Sequence, residues 1–206
     1  MKKFLKIALI ILLVAIIVVG AYFIIVKNTE KKALDIIDKM FTALKTGDES
    51  QIKEYVNLGE DEENTENESS EESEETEKMT KAMLKNLNYE VVSTKTNINK
   101  CVVNLKISNK DLKTVMGNYI NKAFSLAFSQ AFGGITEEEL NNQLYQYFEE
   151  QYNSDSVGTL TSEVVITMKK VNGKWNVECD EKQLMNAILP GYEEVMSSLD
   201  RMEEQE

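Results

Sequence analysis

The 206-residue chain contains no histidine. That removes the one side chain whose unperturbed pKa suits acid–base work near neutrality, and it leaves Ser and Cys without their usual activating base. No G-x-S-x-G turn, P-loop or G-x-G-x-x-G segment occurs, so hydrolase elbows and nucleotide cradles are not indicated. Cysteine is confined to Cys101 and Cys179. With no His and two distant Cys, neither a metal site nor a bound cofactor is expected. Proline occurs once, at Pro190. Catalysis therefore has little to work with, and a non-enzymatic role is expected.

Charge is plentiful but uneven. The formal net charge is −12, and the stretch Glu60–Glu77, EDEENTENESSEESEETE, holds eleven acidic residues without a Lys or Arg. Without those eleven, 24 acidic residues face 23 basic ones. The rest is near neutral and has no basic patch for phosphates, so nucleic acid is not an expected partner. The stretch also lacks apolar spacing and the Gly-centred oxygen pattern of a calcium loop, which reads as a disordered, solvated spacer over 60–77.

The start of the chain is the opposite. From Ile7 to Val26 twenty residues carry no charge, after Lys2, Lys3 and Lys6. At 1.5 Å per residue such a helix is about 30 Å long, the thickness of a bilayer's hydrocarbon core. Residues 1–6 are expected in the cytoplasm, 7–26 across the cell membrane, and the rest outside, with Tyr22 at the outer interface. A cleaved signal peptide is the competing reading. The run is longer than the usual apolar region of a signal, however, and no A-x-A site follows it. No Cys lies near its end for lipid attachment.

Beyond the span, residues 29–199 read as one extracytoplasmic domain and 200–206 as a tail. Ala33, Ile36, Ile37, Met40, Phe41 and Leu44 form a helical stripe that Gly47 stops. Asp48 and Gln51 fit the start of a short helix carrying Ile52 and Val56. Met79, Ala82, Met83 and Leu87 mark another. Tyr89–Thr96 pairs with a strand whose inward set is Cys101, Val103, Leu105 and Ile107, turning at NINK. Ser108 with Asp111 suggests a capping box before a long helix bearing Leu112, Met116, Tyr119, Ile120, Ala123, Phe124, Ala127, Phe128, Ala131 and Phe132. Asn118, Asn121, Lys122 and Gln130 argue against this helix as a second span. After Gly133-Gly134, Thr136 and Glu139 repeat the capping pattern for a helix striped by Leu140, Leu144, Phe148 and Tyr152. A hairpin follows, turning at Asn172-Gly173. One strand directs Leu160, Val164, Ile166 and Met168 inward, and the other Trp175, Val177 and Cys179. Asp180 caps a last helix interrupted at Pro190.

This order predicts an α+β fold: an N-terminal transmembrane helix, then an antiparallel four-stranded sheet packed against helices, with a helical pair inserted between the two hairpins. In a meander the strand holding Ile166 separates the two Cys-bearing strands. Cys101 and Cys179 are then too far apart to bridge, and two free thiols are expected.

FTALKTGDESQIKEYV resembles the opening helices of the nuclear transport factor 2-like, or cystatin-like, superfamily, and VNGKWNVE resembles its closing hairpin with an inward Trp. The chain looks most like the membrane-anchored Gram-positive members of unknown function in the bacterial envelope. The resemblance implies a cone-like domain serving either as a binding or interaction module, for an envelope protein or a small apolar ligand, or as a small acid/base enzyme of the isomerase or dehydratase kind using a carboxylate and Tyr inside the cone. Phe124, Phe128, Tyr147 and Trp175 are the candidate pocket residues. For the Phe124, Phe128, Phe132 series, ordinary core packing and partner docking are the other readings.

Overall fold

The computed structural model describes the backbone at 2–47 and 74–203 and the side chains at 15–47, 78–198 and 201. The expected helix around Ile52 and Val56 and most of the acidic spacer lie outside these residues. The last four spacer residues do not: Glu74–Glu77 form the first turn of a helix, because four acidic or polar residues suit a helix N-terminus.

Helix α1 runs unbroken from Lys2 to Thr46, and α2 spans Glu74–Lys85. Strands β1 (Asn88–Thr96) and β2 (Lys100–Lys110) precede the helical pair α3 (Leu112–Ala131) and α4 (Glu137–Asn153). Then come β3 (Thr159–Val171), β4 (Lys174–Glu178), α5 (Glu181–Ile188) and α6 (Tyr192–Glu203). Helix α6 thus takes up residues 200–203, which sequence assigns to a tail. The sheet order is β1-β2-β3-β4, every pair antiparallel.

Local chemistry explains most boundaries. Gly47 adopts φ +68° and closes α1. Asp111 caps α3 alone, accepting from the Thr114 amide at 3.3 Å and the Thr114 hydroxyl at 2.7 Å. Ser108 is no part of that cap, because it remains in the ladder opposite Asn88 and Thr161. Thr136 and Glu139 do form the reciprocal box on α4. Asn172 and Gly173, at φ 51° and 85°, supply the positive-φ pair of a tight hairpin. Asp180 caps α5, and the chain breaks at Pro190 before α6.

One face of the sheet is the main core. Cys101, Val103, Leu105, Ile107, Val164, Ile166 and Met168 are at most 1% exposed and pack with Ile37, Met40 and Phe41 of α1 and with Leu184 and Ala187 of α5. Leu160, in the same alternating set, lies past the edge of this core and is 45% exposed. A second cluster fastens the base of the helical pair: Leu112 and Val115 of α3, Phe148 and Tyr152 of α4, Ala82 of α2, and Val157.

Asn109 continues the inward set of β2 but is polar and wholly buried. Its Nδ2 donates to the carbonyls of Met83 (2.9 Å) and Ile188 (2.8 Å), and its Oδ1 accepts from the Lys110 amide (2.8 Å). Asn109→Leu would leave both carbonyls without this donor. Burying them unpaired is expected to cost about 3 kcal/mol. Urea unfolding of the detergent-solubilised chain should show that loss, whereas Asn104→Leu on the solvated face should change stability by less than about 1 kcal/mol.

Candidate docking surface

Among the described residues, the core clusters hold the helical pair on the domain at its base. Tyr119 and Phe148 meet edge-to-face at 5.8 Å, and Phe148 contacts Tyr152 at 5.2 Å. Neither core cluster extends past Tyr119 on α3 or Phe148 on α4 toward the tip. Beyond these residues α3 and α4 form an arm. Asn118 bonds Gln151 at its base at 2.7 Å, and within it Lys122 lies over the Tyr147 ring at 5.7 Å.

On this arm Leu126 is buried, but Phe124, Phe128 and Phe132 are 63%, 67% and 86% exposed. The reason is angular. Residues two apart on a helix differ by about 200°, so a helix that turns Leu126 inward turns Phe124 and Phe128 outward. Neither a core stripe nor a pocket wall describes these phenyl rings; they form a row on the outside. Ala123 to Thr136 carries no charge, so the row sits in an uncharged segment. At the tip, Gly133 (φ +70°) and Gly134 donate to the carbonyls of Gln130 and Ser129, both at 2.8 Å, ending α3 in a Schellman motif. Three acids, Glu137–Glu139, open α4 immediately afterwards. The Thr136 amide, then its hydroxyl, bond the Glu139 carboxylate and hold its pKa below the ordinary value.

The four aromatics expected to line one pocket are therefore dispersed. Phe124 and Phe128 are outside, Tyr147 lies on α4 beneath Lys122, and Trp175 packs on the sheet core. The recesses at Tyr22, Thr136, Gln146 and Glu181 are lined by other side chains. The inner face of the sheet is filled by α1 and α5 instead.

No family model matches the chain, and no curated protein matches it. One solved structure is similar. It is a candidate lipoprotein (ycdA) from Bacillus subtilis, with 15% identity and a TM-score of 0.40. The likeness covers 56% of this chain and 37% of that protein. It is too distant to carry an argument, and the resemblance to the nuclear transport factor 2-like superfamily rests on sequence alone.

A carboxylate–tyrosine pair does exist. The Tyr89 hydroxyl donates to Asp38 Oδ1 at 2.7 Å, and its ring stacks on Phe41 at 4.3 Å. Asp38 is exposed and the pair borders the α1–β1 seam, so it has no enclosed chamber in which to hold a substrate. A similar bond joins the Thr94 hydroxyl to the Glu30 carboxylate. Among the described residues no group of three or more Cys, Asp or Glu could hold a metal ion.

Cys101 and Cys179 are free thiols. Cys101 faces Met168, and Met168 faces Val177, so Cys179, two residues past Val177, is offset from Cys101 by about two residues along the strands. The intervening strand adds two strand spacings, or roughly 10 Å, to that offset. Burial raises the pKa of both, most strongly opposed at Cys101 by the Thr96 hydroxyl 3.1 Å from its sulfur.

Burial and the Asp38 bond also push the Tyr89 phenol up to about 12 from 10.0. The fold holds that proton more tightly than the unfolded chain does. This contribution to stability is therefore complete below pH 10 and is lost as pH rises through about 12. Ultraviolet titration should find a phenol ionising at about 12 that disappears in Tyr89→Phe, while Tyr152, which burial pushes up further, remains late in both.

Proposed function

We propose that the chain is a single-pass, membrane-anchored extracytoplasmic interaction module, not an enzyme, which docks a protein partner through the phenyl row of the α3–α4 arm. The observation that carries the docking reading is the row itself. Three phenyl rings at least 63% exposed in an uncharged segment are more apolar surface than solvation alone favours. Glu137–Glu139 beside the row favour a partner with an apolar groove and a basic rim. A parallel pairing of two such arms would oppose two acidic triplets, which disfavours a second copy.

The anchor reading is supported by α1. Ile16, Ile17, Val18, Val19, Phe23, Ile24 and Ile25 are 46–71% exposed, an apolar surface on every side of the helix. Among the described residues no helix is long and apolar enough to cross a membrane. Residues 15–26 provide about 18 Å of apolar helix, and the remaining part of the proposed span, 7–14, lies outside the described side chains. Lys2, Lys3 and Lys6 favour a cytoplasmic N-terminus. The chain should stay with the lipid through alkaline extraction, and deletion of 7–26 should release it.

A photoreactive residue at position 128 of the full chain, activated in its native membrane, tests the docking. One crosslinked product of partner size is expected, and it should disappear in Phe124→Ser/Phe132→Ser. Those two substitutions should leave stability within about 0.5 kcal/mol, since both rings are exposed. A product of twice the chain's mass would make the occupant a second copy. Adducts with lipid or small molecules only would overturn the protein-docking reading.

A further inference from the structure

The edge of the sheet nearest the apolar part of α1 has its own chemistry. Tyr22, Asn97, Asn99, Lys100, Lys169 and Lys170 surround a recess of about 470 Å³ between α1, the β1–β2 turn and the β3–β4 hairpin. It is held in place from both sides. The Thr29 hydroxyl donates to the Ile98 carbonyl at 3.1 Å, pinning the turn to α1. The Lys170 amide donates to the Asn99 carbonyl at 2.8 Å, joining the two hairpins.

In a chain of net charge −12 this recess is cationic. Lys95 and Lys174 are exposed at the strand ends beside it, and Lys27 is exposed five residues past Tyr22 on α1. Two carboxylates face this end. Glu178 pairs with Lys169 at 2.6 Å, and Glu30 is engaged by Thr94. Among the described residues, no ion pair neutralises Lys100 or Lys170. Tyr22 lies four residues before the end of the apolar run, the level at which an aromatic side chain meets the headgroup layer. Because α1 is one continuous helix, the recess and the apolar segment move together.

We infer that this recess seats the phosphate-bearing headgroups of anionic phospholipids, with Lys100 and Lys170 as the principal phosphate contacts and Asn97 and Asn99 as hydrogen-bonding partners. The inference rests on the anchor reading and adds a lipid class to it. A lysine presented at the headgroup layer of an anionic leaflet gains attraction that an uncharged leaflet does not provide. Lys169, already paired, contributes less.

The full chain reconstituted into phosphatidylcholine vesicles, with or without about one-third phosphatidylglycerol, tests this by mass spectrometry of lysine acylation. Acylation of Lys100 and Lys170 should slow at least about threefold in the anionic vesicles. Lys113, in the first turn of α3 beyond the opposite end of β2, should react equally in both. Equal rates at all three lysines, with the chain retained after alkaline washing, would overturn the headgroup site and leave the anchor standing. Loss of the chain from both vesicle types would overturn the anchor and the site with it. Protection in phosphatidylcholine by millimolar inorganic phosphate, but none from phosphatidylglycerol, would make the recess a free-anion site and overturn the lipid assignment.

Discussion

The side chain of Asn109 is the fixed point of the molecule. A buried amide is costly unless its hydrogen-bonding capacity is met, and here both donors and the acceptor are used within one residue's reach. The two carbonyls it takes up belong to Met83 at the end of α2 and Ile188 at the end of α5, groups that the helices themselves leave unpaired. The same corner gathers further backbone bonds. The Asp111 amide donates to Gly158, the Leu112 amide to Pro190, and Lys110 Nζ reaches the carbonyls of Ser154 and Val157. Sheet, helical arm and C-terminal helices thus meet where β2 becomes α3. Gly191 is required beside this corner, since a Cβ there would lie 2.8 Å from that of Lys113.

This corner determines what the arm can do. The base of α3 and α4 is clamped by Leu112, Val115, Phe148 and Tyr152, while among the described residues neither core cluster reaches the outer part. A helix whose exposed rings sit on a fixed base presents them in one orientation, which would leave less ordering for the docking we propose. The phenyl row is therefore better explained as a displayed surface than as poorly buried core. A defective core would put apolar residues at the margin of a cluster; these three lie at successive four-residue steps on one side of the helix.

Much of this was legible in the sequence, for reasons that differ from element to element. Strand alternation at Cys101–Ile107 and Val164–Met168 has a period of two with one buried face, which leaves little freedom of phase. Gly47, Thr136, Asn172-Gly173, Asp180 and Pro190 act through local backbone chemistry and mark boundaries irrespective of the rest of the fold. The phase of α3 was not legible. Its apolar residues cover so much of the circumference that Leu126 or the phenylalanines could each have faced inward, and only the position of α4 decides. Asn109 carried a signal that the alternation rule already contains: a polar residue in the inward register of a strand must find partners. The Tyr89–Asp38 pair joins positions 51 apart in sequence, and no local pattern predicts it. The cationic recess is assembled from three separate segments, none of them basic enough to stand out alone.

The unbroken course of α1 ties these parts together. A domain joined to a span by a flexible linker samples many orientations, and each contact it makes must then offset the entropy of choosing one. Here the helix that carries the apolar surface at 16–25 is the helix that buries Ala33, Ile37, Met40 and Phe41 against the sheet. Bending it would break consecutive backbone bonds, and no proline lies within it to make that easy. The direction of the apolar segment therefore fixes the direction of the sheet, and through the Asn109 corner it fixes the base of the arm as well. In the anchored state we propose, the arm's height and facing are set by packing inside the domain. Changes at buried positions such as Met40 or Phe148, far from the phenyl row, should then alter docking by re-aiming it.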